Sequence, residues 1–480
     1  MGDRSSARAR LDLRLALSHE PYDETNRSGL QNSSVHQPLF TLQPPTFLRQ
    51  FLKLTAINVL SNVMVPIAGL LDVAFLGHLA DIRHLAGVAL ATVVFNYLYW
   101  TFGFLRMSTT GMTAQAIGRG EEEEALLIGL RHGILALLLG AAIVILQVPL
   151  RQLGFAMLSA ATEVAAAGEA FYNALIWGAP ATLINFVIIG WLLGRSQSDR
   201  VLILTAVNSG ANITLDYWFI VRLDWASTGA GLATALSQYL MLLVGLVMLA
   251  QEVPLKQMRV NTQQLWDASA LATVWVLNRD ILIRTFALIS TFAIFTNLGS
   301  AFGTVPLTAN ALLMQVVTLA AYFIDGIAFA TESLAGLFWG QGNVSQLKQL
   351  VLIAGGLSLC IGVLIAIAVI GYPDPLFGRL TTHSQVLDYL KQYVLWLLPV
   401  LGFGSLAYMF DGYFLGLTEG RVLRQATLQA VLLGFMPIAI VAWYRHNNHW
   451  LWFALTLFMA VRALALGWRW LHHHPKTEAV

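Results

Sequence analysis

Charge is scarce in this chain. Only 11% of its 480 residues are charged and 57% are hydrophobic, whereas a soluble domain carries about 25% charged residues. That supply cannot cover a water-facing surface, which excludes a soluble globular protein. A bilayer removes the requirement, because its core favours apolar side chains over ions. Cysteine is nearly missing too: Cys360 stands alone, so no internal disulfide and no cysteine-ligated metal cluster can form. A net charge of +2 without a basic block gives nucleic acid no footing. The N-terminal segment has no apolar core of signal-peptide length, and its Asp3, Glu20, Asp23 and Glu24 argue against an organelle transit peptide. Within the apolar runs there is no HExxH, no GxSxG and no histidine pair at ligand spacing, which removes the intramembrane-enzyme classes. The histidines at 472–474 read as a solvated tail rather than a metal site.

What the chain has in abundance is long apolar runs. A spanning helix needs about 20 mostly apolar residues. Runs of that kind fall near 50–78, 84–110, 125–149, 168–194, 201–221 and 228–250, then near 280–302, 306–338, 350–372, 387–416, 422–444 and 449–471. The expected fold class is therefore all-α and polytopic, with twelve transmembrane helices in two six-helix lobes. The division is a polar tail over 1–46, an N-lobe over 47–251, a polar linker over 252–279, a C-lobe over 280–471 and a second tail over 472–480. Most of the 28 lysines and arginines fall on the side of the N-terminus, which predicts that both termini are cytoplasmic. The membrane expected is the cell (inner) membrane.

The two halves resemble each other at one constant offset. Leu85 aligns with Leu307, Ala89 with Ala311, Leu90 with Leu312, Val94 with Val316 and Thr109 with Thr331. In the same register Gly118, Gly120, Gly190 and Gly194 meet Gly340, Gly342, Gly412 and Gly416. Apolar matches are cheap in apolar sequence, so the glycines carry the weight. Six spans per repeat is an even number, so both halves enter from the same side as parallel repeats about an axis along the membrane normal. Pro180 and Pro399 sit at nearly corresponding points of the fourth and tenth spans, where matched breaks point to a hinge or a substrate path. Two such lobes suit a transporter that opens alternately to either side.

Ionisable groups inside spans are costly and need a reason. The buried carboxylates are Asp72, Asp216, Asp325, Glu332 and Asp411. Asp72 lies late in the first span and Asp216 late in the fifth, at similar depth in one lobe, where two close acids favour sharing a proton. Asn208, Asn212 and Asp216 follow one another at helical spacing, so the fifth span presents a polar line to protein or water. Asn185 adds to this N-lobe lining. In the second lobe, Asp325 and Glu332 lie about two turns apart on one face. With Asp411 they form either a polar path for protons or sodium, or structural ion pairs, with Arg284 as the available partner. Arg106 can pair with an acid or snorkel.

Taken together, LLDVAFLGHL at 70–79, NITLDYWF at 212–219, TGAGLATALSQ at 228–238, GRG at 118–120, GQG at 340–342 and FDGYFLGLTEG at 410–420 resemble the multidrug and toxic compound extrusion family, in its DinF-like branch. The resemblance covers 50–471. It implies a V-shaped, two-lobed antiporter that needs no cofactor and is energised by a proton or sodium gradient. It also implies a cation site at Asp72, Asn212, Asp216 and Thr234, and a role for Asp411. The sequence departs from sodium-coupled members that carry a helix 7 glutamate, because no acid lies between Asp280 and Asp325. The family bends its first helix at a proline, and Pro66 precedes Asp72. The expected function is export of lipophilic cationic compounds in exchange for protons, by a monomer whose partners are small organic substrates and the bilayer. Sodium coupling and organic-acid export are the alternatives. A lipid-linked precursor flippase is disfavoured by the shortage of basic residues in the spans.

Overall fold

The computed structural model describes residues 44–79, 81–156, 158, 161–252, 262–381 and 383–472. Nearly all of both expected tails, and residues 253–261 of the linker, lie outside that set. The described residues form helices and no strand, as hydrocarbon demands of any open chain, since a helix satisfies its backbone internally. Eleven helices among them are long and apolar enough to cross a membrane. They are α1 (Phe47–Gly77), α2 (Arg83–Arg119), α3 (Glu122–Ile145), α4 (Thr162–Gly194), α6 (Ala226–Glu252), α7 (Ala268–Ala301), α8 (Thr304–Gly340), α9 (Val344–Gly371), α10 (Ser384–Gly416), α11 (Gly420–Arg445) and α12 (Asn448–His472). The twelfth, α5 (Ser198–Asp216), is continued by a π-helical segment, Tyr217–Arg222. It is long enough to span, but Asn208, Asn212 and Asp216 make it more polar than the rest. α7 begins at Ala268, capped by the Asp267 side chain, which accepts from the backbone N–H groups of Ser269 and Ala270. Residues 268–279, read from sequence as part of the linker, are therefore helical.

The repeat is visible in the backbone. A 3-10 turn at Ile176–Gly178 precedes Pro180 in α4, and another at Val394–Trp396 precedes Pro399 in α10. Proline cannot donate to the helical ladder and crowds the preceding turn, so the matched prolines give matched breaks. Ser196 and Thr418, mates in the repeat register, both take positive φ, 58° and 57°. Within the N-lobe, Gly190 packs against the Arg106 carbonyl, and Gly194 against Thr113 and the Thr110 carbonyl. Within the C-lobe their mates do the same: Gly412 packs against the Ala328 carbonyl, and Gly416 against Ala335 and the Glu332 carbonyl.

The lobes, α1–α6 and α7–α12, meet along the C-terminal halves of α2 and α8. A Cβ on Gly118 would strike the Leu337 carbonyl and lie 2.9 Å from the Gly340 Cα. A Cβ on Gly340 would strike the Gln115 carbonyl and lie 2.9 Å from the Gly118 Cα. Gln115 and Leu337 are themselves repeat mates, so the contact is reciprocal and the pseudo-two-fold axis passes between the two glycines. Around it, the Ser333 hydroxyl donates to the Leu193 carbonyl at 2.6 Å, and the Gln115 amide donates to the Gly416 carbonyl at 2.9 Å. Farther along, Gly326 of α8 lies flat against Val59 of α1.

The C-lobe is held by polar ties inside its apolar core. Asn310 of α8 and Asn448 of α12 exchange amide hydrogen bonds at 2.8 and 2.9 Å, and the Trp452 indole donates to Asn310 at 2.9 Å. Deeper in the lobe, Asp411 Oδ2 of α10 accepts from both Arg284 of α7 and Arg462 of α12. All three side chains are buried, so one carboxylate joins three helices.

Two stability predictions follow from this packing. Gly118→Ala should destabilise by about 1–3 kcal/mol through overpacking, whereas Gly356→Ala, which meets open space, should not; thermal unfolding in detergent would measure both. In the C-lobe, Asp411→Leu should cost about 3–5 kcal/mol and more than Arg284→Leu, because it leaves two buried guanidinium groups without their shared acceptor. The double variant should cost less than the sum of the two; additive costs in that cycle would show that the tie has no energetic coupling.

Candidate functional site: an N-lobe acid pair and a C-lobe ion network

In the N-lobe, α1 and α5 bring two carboxyl groups together. Asp216 is the last residue of regular α-helix in α5, immediately before the π-helical segment, a local widening that recurs at functional positions. Its side chain is completely buried and lies within hydrogen-bonding reach of Asp72 on α1. A carboxylate only accepts hydrogen bonds, so a bond between two carboxyl groups requires a proton on one of them. Neither oxygen of Asp216 receives a bond from any donor among the described residues. Asp72 is the charged group that acts on it. Among the described residues the pair therefore has no basic neighbour to neutralise it.

The polar line of α5 continues below the pair. One turn down, the Asn212 amide donates to Thr234 Oγ1 of α6 at 3.3 Å, while that hydroxyl donates to the Ala230 carbonyl at 3.0 Å. Asn208, another turn down, keeps a buried Oδ1 without a hydrogen-bond partner among the described residues. Asp72, Asp216, Asn212 and Thr234 thus bring carboxyl, amide and hydroxyl oxygens into one region of the lobe. Asn185 of α4 has a different task. Its amide nitrogen donates to Gln238 of α6, to the backbone oxygen at 2.9 Å and to Oε1 at 3.0 Å, so it braces α4 against α6. Gln238 ends the 228–238 motif one turn after Thr234, yet nothing in its spacing announced the Asn185 contact.

The C-lobe acids are arranged on another plan. Asp411 is held by Arg284, the partner weighed from sequence, and equally by Arg462, which the sequence reading left without a role. Glu332 pairs with Arg106 of the N-lobe at 3.2 Å. Asp325 has Arg106, Arg284 and Arg462 as its basic neighbours. Three carboxylates face three guanidinium groups, so a cation entering here has to displace an arginine. Among the described residues there is no group of three or more His, Cys, Asp or Glu side chains able to hold a metal ion.

Comparison with known proteins agrees with this architecture. The MatE family model matches residues 58–218 and again 281–441, one stretch in each lobe. DNA damage-inducible protein F of Escherichia coli is 33% identical over 425 residues, which cover 86% of this chain and 90% of that one. A probable multidrug resistance protein NorM of Synechococcus sp. is 25% identical over 404 residues, covering 82% and 86%. Among solved structures, one described as the outward-facing conformation of a multidrug resistance MATE family transporter superimposes with a TM-score of 0.81 at 20% identity, over 88% of this chain and 95% of that one. By the match of both lobes to the family model and by this degree of identity, the chain belongs to the MatE, or multidrug and toxic compound extrusion, family of membrane transporters.

Proposed function

We propose that this transporter exports lipophilic organic cations in exchange for protons, and that Asp72 and Asp216 carry the proton between them. The observation that supports this most directly is the buried acid pair without a basic neighbour. Two carboxylates this close in a low-dielectric interior repel each other, and one proton between them relieves the repulsion. Asn212 and Thr234 orient the lower side of the site. With both termini cytoplasmic, the α2–α8 seam is the closed cytoplasmic end and the opposite end faces outward. Protons from outside then reach the acid pair, and the lobes rock about the seam. Coupling arises because proton and substrate stabilise different arrangements of the lobes. The protein acts as a monomer in the cell (inner) membrane, and an ion gradient is its energy source. Multidrug resistance is also what the name of the Synechococcus relative describes.

The test is uptake of tetraphenylphosphonium by everted vesicles under imposed proton or sodium gradients. A proton gradient alone should drive uptake in wild type, and Asp216→Asn should reduce it to the level of empty vesicles while the protein remains folded in the membrane. Uptake driven by sodium alone would turn the same oxygens into a sodium site. Failure of both gradients, with citrate or another organic acid moving instead, would withdraw the cationic substrate class.

A further inference from the structure

The lobes are joined by an ion pair that the repeat does not require. Among the described residues, Arg106–Glu332 is the ion pair that links α1–α6 to α7–α12; the other pairs lie within a lobe. In the repeat register the mate of Arg106 is Ala328 and the mate of Glu332 is Thr110, so no second copy of the pair exists on the other side of the axis. The glycine–carbonyl contacts of the seam come in matched sets, whereas the Ser333 and Gln115 hydrogen bonds, whose mates are Gly111 and Leu337, do not. This ion pair likewise stands outside the matched sets.

Its geometry is that of a site built for an organic cation. Phe329 and Glu332 are three residues apart on α8, which puts ring and carboxylate on one face. The Arg106 guanidinium lies 3.2 Å from the Glu332 carboxylate, and its central carbon lies 4.0 Å from the centre of the Phe329 ring. A carboxylate beside an aromatic face is how proteins hold delocalised cations away from water. Glu332 is only 1% exposed and Arg106 12%, so the carboxylate is deep and the arginine reaches down to it from the other lobe.

We propose that Glu332 and Phe329 form a recognition site for delocalised monovalent organic cations, and that Arg106 is an internal cation occupying this site whenever the α2–α8 seam is closed. The proposal rests on the reading above that organic cations are the cargo and that the lobes separate. Separation withdraws Arg106 with the N-lobe and strips a buried carboxylate of its counter-ion, which is costly. A lipophilic cation from the cytoplasm then satisfies Glu332 and lies on Phe329. When the seam closes, Arg106 competes for the same place and drives the cargo out. Substrate release is thereby built into lobe closure.

Equilibrium binding of tetraphenylphosphonium to purified full-length protein in nanodiscs, without any gradient, tests this. Arg106→Gln should bind it about tenfold more tightly than wild type, a coupling of ordinary size. Glu332→Gln breaks the same lobe contact but removes the carboxylate, and it should bind no more tightly than wild type. The double variant Arg106→Gln/Glu332→Gln removes both charges together, which keeps the core neutral if either single variant fails to fold, and it should lose the gain. Equal tightening in Arg106→Gln and Glu332→Gln would overturn the proposal, because mere opening of the lobes would explain both. So would an Arg106→Gln affinity equal to that of wild type. Asp216→Asn should leave the gain from Arg106→Gln intact. A failure of proton coupling in vesicles with this gain preserved would therefore sink the acid-pair reading alone.

Discussion

Hydrocarbon tolerates an ionised group only beside a counter-charge, and the two lobes meet that constraint in opposite ways. The C-lobe answers it with protein: three acids, Asp325, Glu332 and Asp411, stand among Arg106, Arg284 and Arg462. In the N-lobe, Asp72 and Asp216 stand together with no base beside them among the described residues. A sequence that duplicates a six-helix unit could have kept one solution in both halves. The difference makes the molecule chemically asymmetric on a nearly symmetric frame, which a vectorial machine requires.

The frame depends on backbone contact. At Gly118 and Gly340 two helices approach until there is no room for a methyl group. Membrane helices gain little from burying apolar surface against each other, because lipid is equally apolar, so close packing of small residues is a main source of their cohesion. Such a seam has few side chains to rearrange. The polar groups that its parting uncovers are few: the hydroxyl and amide contacts of Ser333 and Gln115 along its edge and the Arg106–Glu332 ion pair.

Much of this was legible in the residues. Apolar runs gave twelve spans, eleven of which fall on helices long and apolar enough to cross a membrane, and the glycines in one register announced a repeat whose backbone follows the same register, down to the left-handed turns at Ser196 and Thr418. Depth counting set Asp72 and Asp216 at one level, and helical spacing put Asn212 on the same face. What escaped the sequence were partners remote along the chain. Arg462 joins Asp411 from 51 residues away and Arg106 reaches Glu332 across 226, and no local pattern encodes such distances. Asn185 looked like part of the acid pair's surroundings because it is polar and within a span, but its amide nitrogen is engaged by a neighbouring helix, through Gln238. The start of α7 was misplaced because Asn278, Arg279 and Asp280, which interrupt the apolar sequence about three turns into the helix, were taken as the end of the polar linker.

The reciprocity of the seam has a consequence for how such a chain can arise. When Gly118 touches the carbonyl of Leu337 and Gly340 touches that of Gln115, each half presents the same patch to the other. That is the definition of an isologous interface, the kind that closes a two-fold dimer of identical subunits. The covalent chain thus contains, at its centre, the contact surface of a homodimer of six-helix units. Fusion of the two units relieves them of having to remain identical, and the arginines of one half can then diverge from the carboxyl pair of the other without losing the surface that holds them together.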